Sequence, residues 1–211
     1  MIIGFSGPKE SGKTTSMNIY SDMLTKKGIS NNIVNFADKL KQVCMDVFEL
    51  SYEQVHGKLK DANIPPIILN EARISKCFEA YGIKRYDRGI VERFGNIALF
   101  TPRQVLQIIG TNVLRSHNDN IHTDYVMNAI KQSNIAVTLI GDVRFSNEYL
   151  LCDKVLYIEN KDKEAVVKTS SHESELQVFT FKDRCDIVDN NYGFDNLKTQ
   201  LSNQLEKTFG N

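Results

Sequence analysis

Residues Gly7-Pro8-Lys9-Glu10-Ser11-Gly12-Lys13-Thr14-Thr15 constrain this chain more than any other stretch, because they fit G-x-x-x-x-G-K-[ST] between segments of two different periods. Ahead of them, Met1-Ile2-Ile3-Gly4-Phe5-Ser6 is a short apolar run of strand character. Behind them, Thr15 to Lys27 carries Met17, Tyr20, Met23 and Leu24 at helical spacing and stops at Gly28. A strand, a glycine-bracketed turn and a helix in that order form a cradle for phosphate, a context that a chance match in a loop would lack. Gly7 and Gly12 let the backbone turn tightly and bring N–H groups against anion oxygens, and the positive end of the helix dipole points the same way. Lys13 then reaches the β- and γ-phosphates as a point charge, Thr14 offers a hydroxyl to magnesium, and Thr15 is expected to touch the α-phosphate. Lys9 and Ser11 complete the loop expected to bind the nucleotide.

At 211 residues and 41% hydrophobic content, the chain is long enough for one well-buried α/β domain with insertions and too short for two large ones. Lys plus Arg and Asp plus Glu number 26 each, so no global field draws the protein to nucleic acid or to a lipid surface, and an anion site has to be a local cluster. The four cysteines, Cys44, Cys77, Cys152 and Cys185, form no C-x-x-C pair, which points to reduced thiols rather than a disulfide framework or a zinc site. The chain opens directly on its first strand, with no run near the ~20 apolar residues of a membrane helix. The expectation is a soluble cytoplasmic protein whose partners are small-molecule nucleotides, with no nucleic acid and no membrane; a homodimer is compatible with this.

After Gly28, Asn32 to Phe36 reads as a second strand and Ala37-Asp38-Lys39-Leu40-Lys41 opens a helix through Val43, Val47 and Phe48. Asp38 thus follows the carboxyl end of a strand, the edge where open α/β sheets place ligand chemistry, though aspartate there also suits a helix cap. Residues 50 to about 99 mix polar and aromatic residues around Pro65-Pro66 with Arg73, Lys84, Arg85, Arg88 and Arg93, and read as a mostly helical insertion of the kind that binds an acceptor, with most of these cations solvated. Thr101-Pro102 starts a helix with a hydroxyl cap and a proline in the first turn; Val105, Leu106, Ile108, Ile109, Val113 and Leu114 form its apolar face and Arg103, Gln107 and Arg115 lie elsewhere. A helix over about Thr123 to Gln132 precedes Ile135 to Ile140, a β-branched run expected as a central parallel strand.

That strand delivers Gly141-Asp142-Val143-Arg144-Phe145 to the edge that carries the phosphate loop. Asp142 has the position of a magnesium-organising acid, and Arg144 can fork a phosphate; an internal Asp–Arg ion pair is the alternative. A helix over Asn147 to Leu151, a strand over Lys154 to Ile158, a polar excursion from Glu159 to about Glu175, a short strand Asp186 to Val188 and a closing helix on Leu197, Leu201, Leu205 and Phe209 complete the pattern. The excursion, with Lys161, Lys163, Lys168 and His172, reads as a lid over about 160–176, or as a solvated loop. Five strands alternating with helices give a parallel sheet covered on both faces.

Taken together and in order, GPKESGKTT, Phe36-Ala37-Asp38-Lys39-Leu40-Lys41, Thr101-Pro102-Arg103-Gln104-Val105-Leu106-Gln107-Ile108-Ile109-Gly110-Thr111, Asp142-Val143-Arg144-Phe145-Ser146-Asn147-Glu148 and Ser171-His172-Glu173-Ser174-Glu175 resemble the deoxynucleoside monophosphate kinases of tailed bacteriophages and related viruses. The resemblance runs over most of the chain and is weakest in 50–99. It implies a P-loop, nucleoside monophosphate kinase-like fold, a single domain with core about 1–49 and 100–211, and transfer of the γ-phosphoryl group of ATP, with Mg2+, to a deoxynucleoside 5′-monophosphate in the host cytosol. It further implies that Lys13 and Thr14 hold ATP and magnesium and that Asp38, Arg103, Gln107 and Arg144 face the acceptor; Asp142 is expected to join Thr14 at the metal, and Lys39 and Glu148 to belong to the acceptor site. Lys161, Lys168, His172 and Glu175 would belong to the lid. The chain departs from the family in having Lys39 and Ser146 where prolines are frequent, and in a lid with lysines but no arginine. Two other readings share the phosphate loop: a kinase for another small metabolite such as dephospho-coenzyme A, and a nucleotide-binding module of weak catalysis.

Overall fold

The computed structural model describes residues 1–167 and 176–210. From the amino end the elements are β1 (Ile2–Ser6), α1 (Lys13–Lys26), β2 (Asn31–Val34), α2 (Asp38–Phe48), α3 (Tyr52–Val55), a 3-10 turn (Lys58–Asp61), β3 (Ile67–Ile68), α4 (Glu71–Glu79), α5 (Arg88–Phe94), β4 (Ala98–Leu99) and α6 (Pro102–Gln107). A π-helical stretch (Ile108–Leu114), α7 (Arg115–His117), α8 (Ile121–Lys131), β5 (Val137–Ile140), α9 (Ser146–Tyr149), β6 (Lys154–Glu159), α10 (Lys161–Val167), β7 (Asp186–Asp189) and α11 (Phe194–Phe209) follow. They group into two compact units, residues 1–35 with 129–211 and residues 36–128. The segment 50–99 lies wholly within the second.

The first unit is a five-stranded sheet in the order β2-β5-β1-β6-β7, parallel throughout and flanked by helices. Parallel pairing places every strand's carboxyl end on one edge, so the loops after β1, β5, β6 and β7 leave together. Alternation along β1 sends Ile3 and Phe5 into a core with Met17, Tyr20 and Leu24 of α1 and Leu197, Leu201 and Leu205 of α11. Gly4, on the opposite face, is required by close packing: a Cβ there would lie 2.7 Å from Val143 Cγ2 and 2.8 Å from Cys152 Sγ. The five expected strands all form. The third apolar run starts later than its hydropathy suggests, because Ile135 is exposed and the ladder begins where Val137 pairs with Asn31.

The second unit packs Leu40, Val43, Cys44 and Phe48 of α2 against Ile74, Cys77 and Phe78 of α4 and Val105, Ile109 and Val113 further along, beside the antiparallel β3–β4 pair. Thr101 caps α6 as expected, its Oγ1 accepting from the Gln104 N–H at 3.2 Å, with Pro102 the first helical residue. The helix expected to run on from there changes at Ile108 to π geometry, an insertion-like widening that single-residue periodicity does not reveal. Gly110 sits in that stretch because a Cβ would meet Leu40 Cδ2 at 2.5 Å.

Candidate active site

The loop between β1 and α1 is built as its glycines require. Gly7 has φ +137° and Gly12 has φ +98°, and a Cβ would fall 2.5 Å from Ile158 O at Gly7 and 2.5 Å from Asn190 Nδ2 at Gly12. Gly12 also stands at the cap position of α1, which therefore receives no side-chain cap, and the first turn contains no acidic residue. The first bond of the helix runs from Ser16 N–H to Gly12 O at 2.9 Å, so helical geometry gives the amides ahead of it no intrahelical acceptor. An anion is the partner such an end selects. Ser11 is fully buried and its hydroxyl has no protein partner among the described residues. Lys13 Nζ folds back on the loop, donating to Gly7 O at 2.9 Å and Pro8 O at 2.6 Å, while Lys9, Thr14 and Thr15 are exposed.

The loop after β5 is tied to β1 rather than merely near it. Val143 N–H donates to Phe5 O at 3.3 Å, and Ser6 Oγ donates to Val143 O at 2.8 Å. These bonds pin the half-buried Asp142 and Arg144 on either side of a main chain bound to the last residues before the phosphate loop. Glu148 is 3% exposed, and its Oε2 accepts the N–H of Arg144 at 2.7 Å and of Phe145 at 3.1 Å. It therefore shapes the turn that presents Arg144. Ser146, where proline is frequent in the resembling family, is simply the first residue of α9, a position proline would also suit.

Asn190 is a loop residue that motif reading did not single out. Its Nδ2 donates to Ser11 O at 2.7 Å and its main-chain N–H to Glu159 O at 2.9 Å, so the turn after β7 braces the phosphate loop from the side. The available signal was positional: Asp189-Asn190-Asn191 follows the carboxyl end of a parallel strand. Substituting Gly12→Ala is expected to cost about 1–2 kcal/mol in strain alone and to displace Asn190; thermal melts with and without an ATP analogue would show a lower midpoint and a smaller ligand-induced rise.

The lid positions Lys168, His172 and Glu175 lie outside the described residues. Lys161, its N–H bonded to Asn191 Oδ1 at 3.0 Å, opens α10. Glu164 of that helix accepts from Tyr157 OH at 3.1 Å and from Lys182 Nζ at 2.7 Å, and Lys182 also reaches Glu159 at 2.7 Å. Burial alone would lower the Lys182 ammonium, but the two carboxylates outweigh it and raise its pKa, and burial with the adjacent Glu164 raises the Tyr157 phenol.

The remaining predicted residues belong to the unit 36–128. Ala37 holds the cap position of α2 and Asp38 is its first helical residue, so the cap expected of Asp38 falls one residue earlier; the Asp38 carboxylate meets Lys41 Nζ at 3.3 Å. Lys39 Nζ lies 5.4 Å from the Tyr125 ring centroid. Arg103 forks Asp61, with Nη2 to Oδ2 at 3.0 Å and Nε to Oδ1, and Gln107, one turn on, is half-buried. His56 stacks on Tyr52 at 4.5 Å between centroids; burial lowers its pKa, Lys41 and Lys60 lower it further, and Asp38 opposes them. One charged face of this unit thus gathers Asp38, Lys41, His56 and Lys60.

No protein-family model matches the chain. A protein of Acanthamoeba polyphaga mimivirus described as "Putative deoxynucleotide monophosphate kinase" is 27% identical over 214 residues, covering 95% of this chain and 94% of the viral protein. The chain is its homologue. The resemblance carried by the motifs is thereby matched by a relative that spans nearly the whole chain, and the relative's name is that of a phosphotransferase. Among solved structures, a deoxyadenosine kinase from M. mycoides with bound dATP is 15% identical over 99% of both chains, with a TM-score of 0.28, an overlap that bears on neither site nor chemistry. No helix among the described residues is long and apolar enough to cross a membrane.

Proposed function

We propose that the chain transfers the γ-phosphoryl group of ATP to a deoxynucleoside 5′-monophosphate. The observation that carries this reading is the main-chain tie between the two loops, Phe5 and Ser6 to Val143, which fixes Arg144 and Asp142 beside an uncapped, glycine-lined helix end. The homology to the viral protein over 95% of the chain supports the same choice of substrate class.

Phosphoryl transfer needs alignment and charge neutralisation more than covalent chemistry. In this reading the amides of the loop and Ser11 grip the donor, and Lys13 exchanges the carbonyls of Gly7 and Pro8 for phosphate oxygens. Arg144, oriented through Glu148, holds the acceptor's phosphate, and Asp38, Lys39, Arg103 and Gln107 bind the acceptor. The donor chemistry fits magnesium: Thr14, exposed in the first turn of α1, offers a hydroxyl and the half-buried Asp142 a carboxylate, hard oxygen ligands that would hold the ion together with the nucleotide's own oxygens. When bound, the ion would neutralise charge on the transferring phosphate.

An ADP-release assay over matched deoxyribo- and ribonucleoside monophosphates, with dephospho-coenzyme A alongside, tests the proposal. Stimulation by one or more deoxynucleoside monophosphates is expected. ADP release that responds only to dephospho-coenzyme A, or to no acceptor, overturns it.

A further inference from the structure

Of the lysines in the segment expected as a lid, the structure brings Lys163, in α10, to the rim of the phosphate loop. Lys163 Nζ lies 3.1 Å from Glu10 Oε2, and Glu10 is at the tip of the phosphate loop, in left-handed backbone geometry with φ 62°. A carboxylate at the mouth of an anion cradle opposes the cradle's purpose by simple repulsion unless a cation accompanies it. Both side chains are open to solvent, 40% exposed for Lys163 and 65% for Glu10, and an exposed pair of this kind contributes little to folding.

The backbone that carries Lys163, by contrast, is held firmly. The Lys163 N–H donates to Asn160 Oδ1 at 3.1 Å, Lys161 N–H donates to Asn191 Oδ1 at 3.0 Å, and the neighbouring Glu164 is 9% exposed and bonded by both Tyr157 and Lys182. A strongly anchored helix thus presents a solvent-exposed ammonium to the rim of the phosphate loop, where Glu10 holds it.

We infer that Lys163 is a donor-binding residue: when the nucleotide arrives, its ammonium leaves the Glu10 carboxylate for an oxygen of the phosphate chain, so that Glu10 serves as a placeholder. This rests on the reading of the loop as the ATP site. A group at this position grips the phosphate chain throughout the reaction, and it does so without drawing on residues 168–175.

The test compares Lys163→Met, Lys163→Arg and Glu10→Gln by calorimetric titration with a non-hydrolysable ATP analogue, with thermal midpoints recorded for each. The two neutralising variants break the same ion pair, so a merely structural pair would make them behave alike. The expected result is that Lys163→Met weakens binding about tenfold or more, the scale of one lost charge-assisted hydrogen bond, that Lys163→Arg keeps most of the affinity, and that Glu10→Gln binds at least as tightly as the unaltered protein. Unchanged affinity in Lys163→Met, or equal weakening in Lys163→Met and Glu10→Gln, overturns the inference while the kinase reading stands. An unaltered protein that does not bind the analogue overturns both.

Discussion

Replacing Lys13 with alanine is expected to lower phosphoryl transfer by roughly 10²- to 10³-fold while leaving the fold in place. The ammonium is satisfied within the loop by the carbonyls of Gly7 and Pro8, at 2.9 and 2.6 Å, so it is stored against the backbone it would leave when phosphate enters. Its removal strips a full positive charge from the foot of the loop, and the main-chain amides left there are dipoles that cannot replace it against a charge developing on the transferring group. The stability cost is small, about 1 kcal/mol for each hydrogen bond lost from partly buried carbonyls. A coupled ADP assay at saturating ATP, with the thermal midpoint measured in parallel, separates the two effects. Transfer at the unaltered rate in a folded Lys13→Ala protein would remove Lys13 from the reaction.

Much of this was legible in the residues alone, for reasons that can be stated. Buried parallel strands are continuous apolar runs, which made β1, β5 and β6 recognisable, while the more exposed β2 and β7 were marked by the β-branched pairs Ile33-Val34 and Ile187-Val188; glycine or asparagine follows all five. The phosphate loop was legible because its glycines answer a backbone demand: at Gly12 both the positive φ and the contact with Asn190 exclude a side chain. The shift from α to π geometry at Ile108 left no trace in the spacing, since the apolar positions Val105, Ile109 and Val113 serve either helix. Gly110 lies within the π-helical stretch, but its reason is the approach of Leu40, a contact between distant parts of the chain. Asn190 was hidden, and of Lys163 only its place in the expected lid could be read, because what distinguishes each of them is a partner 179 or 153 residues away. Glu148 was read as a ligand-facing acid from its place in D-V-R-F-x-N-E. The structure buries it, with its carboxylate accepting from the main-chain N–H groups of Arg144, which carries the guanidinium, and of Phe145.

Acid is expected to destabilise the protein through one residue outside the proposed chemistry. His122 is 4% exposed, its Nε2 3.2 Å from Gly110 O in the π-helical stretch and its Nδ1 2.9 Å from Tyr81 OH. The neutral ring that donates from Nε2 and accepts at Nδ1 satisfies both contacts. Burial, reinforced by the nearby Arg115 guanidinium and only partly offset by the Gly110 carbonyl, lowers its pKa from 6.5 to about 4. Between those values the unfolded chain binds the proton and the folded chain does not, so stability rises with pH across the window. The contribution is complete above pH 6.5 and is lost as pH falls towards 4, a change of about 3 kcal/mol at most for a shift of this size. Carboxylates titrate in the lower part of the same range, so the comparison needs a variant that cannot charge, and His122→Gln retains one donor and one acceptor. Urea unfolding at pH 7.5 should find that variant less stable by about 1–2 kcal/mol for imperfect replacement of two buried hydrogen bonds. By pH 4.5 the gap should close or reverse, because only the imidazole is then forced to ionise on unfolding. A gap that stays constant from pH 7.5 to 4.5 would show that His122 is protonated alike in both states, and that the Gly110 and Tyr81 contacts do not hold the ring neutral.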